Sequence, residues 1–253
     1  MSTHDLTVIK AGTGVLTKTD DGTLDRAALV HLVTVISELM HAGHRCLFVS
    51  SGAVGSGLSA FGLNAYPQDT ATRQACAAVG QARLMQSYSS LFSNFDISIA
   101  QVLLTAADLG TAERAGYVSD TLNRLLEEPS ILPIINENDS VAVEELKFGD
   151  NDMLSARVAK LAGAQRLILL TSVDGLIDPS TQQRIEEVRD IEAALQHVQN
   201  EKGRFSMGGM ASKLEAIRFA VNAGIETHIA HGRHPERLPA IIAGGGISTR
   251  FPA

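Results

Sequence analysis

Residues 6–14 have the sequence LTVIKAGTG, and residues 45–57 have the sequence RCLFVSSGAVGSG. In both stretches an apolar segment of strand length is followed at once by a glycine-rich turn. Apolar strands that alternate with longer segments of helical periodicity are typical of βαβ units. These two stretches therefore predict a mostly parallel sheet with helices packed against it.

The same alternation continues along the chain. Between the first two strands, the apolar positions recur at three- and four-residue steps and predict one buried helix face, formed by Leu29, Val33, Ile36 and Met40. We predict four more strands, over residues 97–104, 131–136, 166–171 and 227–230. We predict four more helices, over residues 70–95, 114–127, 151–161 and 210–222. Residues 141–147 alternate apolar and polar positions and predict a small hairpin at the sheet edge, with an irregular loop as the alternative.

Charge and hydropathy exclude several classes of protein. The 253 residues include 21 Lys and Arg against 28 Asp and Glu, which gives a formal charge of −7. This balance argues against a nucleic-acid binder with a basic face. The chain has no apolar run near the ~20 residues that a membrane span needs, so no membrane contact is expected. Its first residues do not form a signal peptide, and a cytoplasmic location is the default expectation.

Two glycine turns at strand ends suggest an anion-binding site. Lys10 is followed by Gly12, Thr13 and Gly14, and Ser51 and Gly52 open the second glycine run. Glycines allow backbone N–H groups to approach a phosphate closely, and a lysine supplies a positive charge. A solvated lysine beside an ordinary turn explains the first turn equally well. A tight turn alone does not explain the whole second run.

Two polar clusters follow later in the chain. One comprises residues 136–139, Asn-Glu-Asn-Asp, and the other comprises residues 149–152, Gly-Asp-Asn-Asp. Carboxylates there could bind a substrate ammonium group, and amide N–H groups could bind a substrate carboxylate. Capping of the following helix by Asp150 or Asn151 would explain one polar residue of the second cluster, but not three in succession. We therefore favour a binding role for both clusters.

A third glycine pair, Gly208 and Gly209, precedes Lys213 at a predicted helix start, an arrangement typical of phosphate sites. A flexible loop is an equally good interpretation of this segment alone. Thr171 and Ser172 end a strand and could contact a nucleotide or simply form a turn. The histidines at 228, 231 and 234 fit neither one helix face nor one strand face, so we predict no metal site there.

Taken together, these motifs resemble the amino acid kinase superfamily and, most closely, its glutamate 5-kinase branch. The similarity extends from about Val8 to Phe251. Its most specific parts are the clusters at 135–139 and 148–152 and the segment 208–213, in that order and spacing. The resemblance implies a three-layer α/β/α sandwich with a mostly parallel central sheet, in which residues 1–253 form a single amino acid kinase domain without the PUA domain of many bacterial members.

The resemblance also implies an activity. It is the ATP-dependent phosphorylation of the γ-carboxylate of L-glutamate to L-glutamyl 5-phosphate, the first step of proline biosynthesis, with Mg²⁺ held mainly by the ATP phosphates. The implied catalytic residues are Lys10, Asp152 and Lys213. The implied glutamate-binding residues are Ser51, Gly52, Asn136, Asp139, Asp150 and Asn151. The implied ATP-binding residues are Lys10, Gly12, Thr13, Gly14, Thr171, Ser172, Met207, Gly208, Gly209, Met210, Ala211, Ser212 and Lys213.

Two departures from the family pattern lie in the nucleotide-binding segments. The family usually has Thr-Asp where this chain has Thr171-Ser172, and Thr where it has Met207. Two alternatives stay open. One is a superfamily member acting on another small acid or phosphate, and the other, suggested by these departures, is a catalytically silent amino-acid or nucleotide sensor. Family resemblance also implies a homo-oligomer, either a dimer or a tetramer.

Overall fold

The computed structural model describes residues 5–18, 23–142, 151–178, 180–200 and 207–253. Within these ranges the strands are β1 (Leu6–Ala11), β2 (Arg45–Val49), β3 (Ser98–Leu104), β4 (Ile131–Glu137), β5 (Arg166–Thr171), β6 (Glu226–His231) and β7 (Thr249–Phe251). They form one sheet in the order β3-β4-β2-β1-β5-β6-β7. Among the neighbouring strands in the described ranges, β6 and β7 form the one antiparallel pair and the others are parallel. The predicted mostly parallel sheet is therefore confirmed.

The helices in the same ranges lie on both faces of this sheet. They are α1 (Thr13–Leu16), α2 (Arg26–His41), α3 (Ala53–Gly57), α4 (Thr70–Phe92), α5 (Ala112–Leu126), α6 (Asn151–Leu161), α7 (Ile191–Asn200), α8 (Met207–Val221) and α9 (Leu238–Ile242). None of these helices combines the length and apolar character needed to cross a membrane.

The strands divide their side chains between two hydrophobic cores. Successive strand side chains point to opposite faces of a sheet. Val8 accordingly lies in the core with α5, α6, α7 and α8, whereas Ile9 lies in the core with α2, α4 and α9. Leu47 and Phe48 of β2 divide in the same way. Helices on both faces of one sheet form the predicted three-layer α/β/α sandwich.

Two helices at the edge of the sheet approach each other unusually closely because both carry glycine at the contact. A Cβ atom on Gly57 of α3 would lie 2.0 Å from the carbonyl oxygen of Cys76, and one on Gly80 of α4 would lie 1.8 Å from that of Ala53. Any side chain there would force the helices apart. The short helix α3, which follows β2, is thus held directly against α4.

Most predicted elements appear within a few residues of their expected ends. The helix expected to start at residue 210 begins at Met207, and the helix expected over 70–95 ends as a 3₁₀ turn over Ser93–Phe95. The sequence pattern does not predict α7 or the three-residue strand β7, which joins the sheet through contacts with β6. The possible hairpin at 141–147 lies largely outside the described residues.

Candidate active site

Four neighbouring strands end at one edge of the sheet, and their last residues surround a cavity of roughly 450 Å³. Lys10 comes from β1, Asn136 from β4 and Thr171 from β5, while Ser51 follows β2. In open α/β sheets the ligand site lies at the carboxyl ends of the strands, where the chain changes direction across the sheet. In this sheet the change of direction occurs at β1, because β2, β3 and β4 lie on one side of β1 and β5, β6 and β7 lie on the other.

A buried carboxylate joins two lysines at this cavity. Oδ1 of Asp152 lies 2.6 Å from Nζ of Lys10, and its Oδ2 lies 2.8 Å from Nζ of Lys213. The exposed fractions of the Lys10 and Asp152 side chains are 3% and 1%, and that of Lys213 is 18%. Two ammonium groups around one carboxylate leave a net positive charge, and both lysines line the cavity.

The alternation of β1 explains how these residues meet. Leu6 and Val8 point to the core that contains α6 and α8, so Lys10 points to the same face. Asp152 lies in the first turn of α6, and Lys213 lies on α8. These two helices pack against each other. Three distant sequence segments are thereby brought to one point at the cavity.

Three of the residues predicted to bind glutamate, Ser51, Asn136 and Asn151, are joined by hydrogen bonds. Nδ2 of Asn151 lies 2.7 Å from the Ser50 carbonyl oxygen, 3.0 Å from Oγ of Ser51 and 2.8 Å from Oδ1 of Asn136. Nδ2 of Asn136 donates to Oε1 of Gln81 at 2.9 Å. Because a carbonyl can only accept, the Ser50 contact fixes the Asn151 amide with its nitrogen towards β2. The Oδ1 of Asn151 then stays an acceptor beside the cavity that this residue lines.

Other predicted glutamate-side residues also border the cavity. Gly52 has φ +93°, a left-handed conformation that favours glycine, and starts α3 immediately after Ser51. Asp139 lines the cavity two residues beyond the end of β4. Asp150 lies outside the described residues.

The cavity lining also includes two titratable residues, Glu137 and Tyr66, to which the sequence analysis gives no individual role. Glu137 is 8% exposed at the end of β4, and Tyr66 lies in the loop before α4 with an exposed fraction of 56%. Partial burial, together with the negative charge of Asp139, raises the pKa of Tyr66. No local pattern identifies Tyr66, because an exposed tyrosine in a loop has no periodicity. Glu137 could have been found from its place in the cluster at 136–139.

The predicted nucleotide-side residues are only partly gathered at the cavity. Gly12, Thr13, Gly14, Thr171, Ser172 and Lys213 line it. Gly209, Ala211 and Ser212 lie on the first turns of α8, where Ser212 Oγ donates to the Gly209 carbonyl. The side chain of Met210 packs against the hydrophobic core. The backbone of Met207 and Gly208 begins α8.

At the position where the family usually has an acidic residue, this chain has a serine that lines the cavity. Ser172 occupies its position, and the nearest acidic residue along the chain, Asp174, pairs with Arg237 at 2.5 Å. This hydrogen bond lowers the pKa of Asp174 against the opposing effect of its partial burial. Asp174 does not line the cavity.

Comparison with known proteins identifies relatives over nearly the whole chain. The amino acid kinase family model matches residues 5–231. A glutamate 5-kinase from Synechococcus sp. (strain JA-2-3B'a(2-13)) is 46% identical over 260 residues, covering 99% of this chain and 69% of that protein. A glutamate 5-kinase from Synechocystis sp. (strain ATCC 27184 / PCC 6803 / Kazusa) is 43% identical, covering 97% of this chain and 67% of that protein.

Solved structures show the same fold at low sequence identity. A carbamate kinase from Giardia lamblia bound to AMP-PNP superposes with a TM-score of 0.69 at 17% identity, covering 100% of this chain and 99% of that one. An N-acetylglutamate synthase from Neisseria gonorrhoeae, complexed with coenzyme A and N-acetyl-glutamate, gives a TM-score of 0.66 at 16% identity, covering 98% of this chain and 59% of that one. At these identities the similarity concerns the fold alone.

Proposed function

The chain belongs to the amino acid kinase family, within its glutamate 5-kinase branch, and we propose that it transfers the γ-phosphoryl group of ATP to the side-chain carboxylate of L-glutamate. The observation that carries this proposal is the Lys10–Asp152–Lys213 arrangement beside the glycine turns. It places concentrated positive charge at a cavity whose other wall carries amide and carboxylate groups.

The acceptor needs no general base. A glutamate side chain has a pKa of about 4.3 and is already deprotonated at neutral pH, so it is a competent nucleophile when bound. Catalysis of phosphoryl transfer then depends on in-line positioning and on neutralising the charge of the transferring group. Lys10 and Lys213 supply that charge, and Asp152 holds both ammonium groups at fixed positions.

The acceptor side of the cavity fits an amino acid. The Ser51 hydroxyl can accept from Asn151 and still donate its own proton to a substrate carboxylate. The acceptor Oδ1 of Asn151 and the carboxylate of Asp139 suit a substrate ammonium group. An acylated amino group would lose this charge, which favours free glutamate over acetylglutamate as the substrate.

ATP in kinases of this kind is used with Mg²⁺, which neutralises charge on its phosphates. In the part of the chain that the structure describes, no group of three or more His, Cys, Asp or Glu side chains could hold a metal ion. Both oxygens of Asp152 are in contact with lysines. That Mg²⁺ is held mainly by the ATP phosphates stays part of this proposal.

The test is a substrate panel with product trapping. Purified protein is incubated with ATP, Mg²⁺ and hydroxylamine and with glutamate, acetylglutamate, aspartate, carbamate or uridylate, while ADP release and hydroxamate are measured. We expect both signals with glutamate alone. Equal or greater ADP release with another acid would assign a different substrate, and no turnover with any nucleotide would contradict kinase activity.

The single domain, homo-oligomeric assembly and cytoplasmic location stay predictions.

A further inference from the structure

Gln81 is a buried polar residue in an otherwise alanine-rich part of α4. Only 8% of its surface is exposed, and it follows Gly80, where α3 and α4 are in closest contact. We propose that Gln81 is a positioning residue for the acceptor substrate, acting through Asn136 on Asn151 and Ser51. This inference rests on the proposed function, because it concerns the glutamate side of that same cavity.

A path of hydrogen bonds runs from Gln81 through Asn136 and Asn151 to Ser51. Backbone groups fix the orientation of the two asparagine amides in this path. The backbone N–H of Glu137 donates to Oδ1 of Asn136 at 2.9 Å, so this amide presents its oxygen there and its Nδ2 to Gln81. The carbonyl of Ser50 fixes the Asn151 amide in the same manner. Oε1 of Gln81 is therefore the acceptor that the buried Nδ2 of Asn136 requires.

Removing this acceptor would disturb the substrate-contacting residues at the other end. Asn136 is 1% exposed, so its Nδ2 would be left buried without Gln81. A buried unsatisfied donor is costly enough to make the Asn136 side chain rotate. Rotation would move Oδ1 away from the Nδ2 of Asn151. Asn151 would keep its contacts with the Ser50 carbonyl and Ser51 but lose the contact that holds it from the β4 side, so its position at the cavity would be less well defined.

The other end of the Gln81 amide supports this assignment. Its Nε2 is buried and finds no hydrogen-bond partner among the described residues. Gln81 lines a second cavity of roughly 270 Å³, which shares the lining residues Ala53, Glu137 and Asp139 with the first. The bond from Asn136 is thus the polar contact that accounts for a buried glutamine at this position.

The experiment compares three variants with wild type by steady-state kinetics in both substrates. Gln81→Met keeps the size of the side chain but removes the acceptor. Gln81→Glu keeps an acceptor oxygen for the Nδ2 of Asn136. Gln101→Met is the matched control, because Gln101 lines the same second cavity but is exposed on the edge strand β3. Each variant's melting temperature is measured, and Gln81→Leu replaces Gln81→Met if the latter does not fold.

For Gln81→Met we expect KM for glutamate to rise about tenfold, with kcat and KM for ATP changed less than about twofold. Gln81→Glu should recover most of the loss, and Gln101→Met should behave as wild type. An unchanged KM for glutamate, or an equal rise in both KM values, would overturn the assignment. A lower melting temperature with no change in KM for glutamate would show that Gln81 has only a structural role. If the wild-type protein does not phosphorylate glutamate, the proposed function is wrong. If the wild-type protein is active and Gln81→Met has the same KM for glutamate, only the inference about Gln81 is wrong.

Discussion

The Nζ of Lys10 and the Oδ1 of Asp152 lie 2.6 Å apart in a site almost fully removed from solvent. Lys10 lies near the end of the central strand β1 and Asp152 lies in the first turn of α6, so their contact links the sheet to a helix at the cavity. Removing one partner of a buried ion pair leaves a buried charge without compensation. The pair is therefore important both for the fold and for the chemistry proposed at this site.

Asp152→Asn should impair both activity and stability. The two lysines would face each other without a carboxylate, so we expect kcat to fall at least about 100-fold and stability to fall by about 3–5 kcal/mol. Urea unfolding and steady-state kinetics measure the two effects. Asp120→Asn, on the exposed side of α5, is the control and should change neither. Full activity of Asp152→Asn would rule out a role for the shared carboxylate.

Lys213→Ala should act mainly on turnover. The Lys213 charge is proposed to act on the transferring phosphoryl group, so we expect kcat to fall about 10²- to 10³-fold while KM for glutamate changes little. Kinetics at saturating and limiting glutamate separate the two parameters. A rise in KM for glutamate without a loss of kcat would place Lys213 on the acceptor side instead.

Asp139→Ala should show the opposite pattern. Asp139 lines the cavity beyond β4, where its carboxylate can bind the substrate ammonium group. We expect KM for glutamate to rise about tenfold or more, with a smaller effect on kcat, because loss of a charged hydrogen bond weakens binding. Identical kinetic defects in Asp139→Ala and Lys213→Ala would contradict the division of roles between them.

Gly80→Ala should destabilise the protein strongly. Its Cβ would lie 1.8 Å from the carbonyl oxygen of Ala53, so α3 must move away from α4. We expect a loss of about 3 kcal/mol or more, together with a higher KM for glutamate because α3 follows Ser51. Gly116→Ala on α5 is the matched control: its added methyl group would have no atom within 4 Å, and it should stabilise by about 0.5–1 kcal/mol. Equal melting temperatures for the two variants would refute the close contact.

Acid should destabilise the protein through Glu226 and His228. Burial raises the pKa of Glu226, but hydrogen bonds from His228 and Arg250 outweigh it and lower the pKa to about 2. Burial also lowers the pKa of His228, despite the opposing effect of Glu226. A carboxyl with a depressed folded pKa stabilises the fold above its unfolded pKa, near 4.5, and this contribution disappears as pH falls towards 2. The histidine adds to the same loss below its unfolded pKa of 6.5.

The measurement is the free energy of unfolding between pH 7 and pH 3. We expect Glu226→Gln to reduce the loss of stability between pH 7 and pH 3 by up to about 2 kcal/mol relative to wild type. Glu113→Gln on α5 provides a control at an exposed position. An acid limb of unchanged slope in Glu226→Gln would show that this network does not govern acid stability.

Local sequence pattern was sufficient for most of the architecture. Strands such as 166–171 and helices such as 151–161 appear where the periodicity predicts them, because burial on a sheet or helix face repeats every two or 3.6 residues. The glycine turns after β1 and β2 and the polar cluster at 136–139 likewise lie at strand ends. By contrast, β7 has three residues, too few for a pattern, and exists because β6 offers it hydrogen bonds.

The sequence by itself determined the layered α/β fold, the strand edge where the site lies, and the chemical groups available there. Only the tertiary structure decided which groups act together. The shared carboxylate of Asp152, the place of Tyr66 at the cavity and the link from Gln81 to Asn136 depend on segments far apart in the chain. The physical reason is that periodicity records which face of an element is buried, whereas hydrogen bonds and ion pairs across elements are set by packing, as in the glycine contact between α3 and α4.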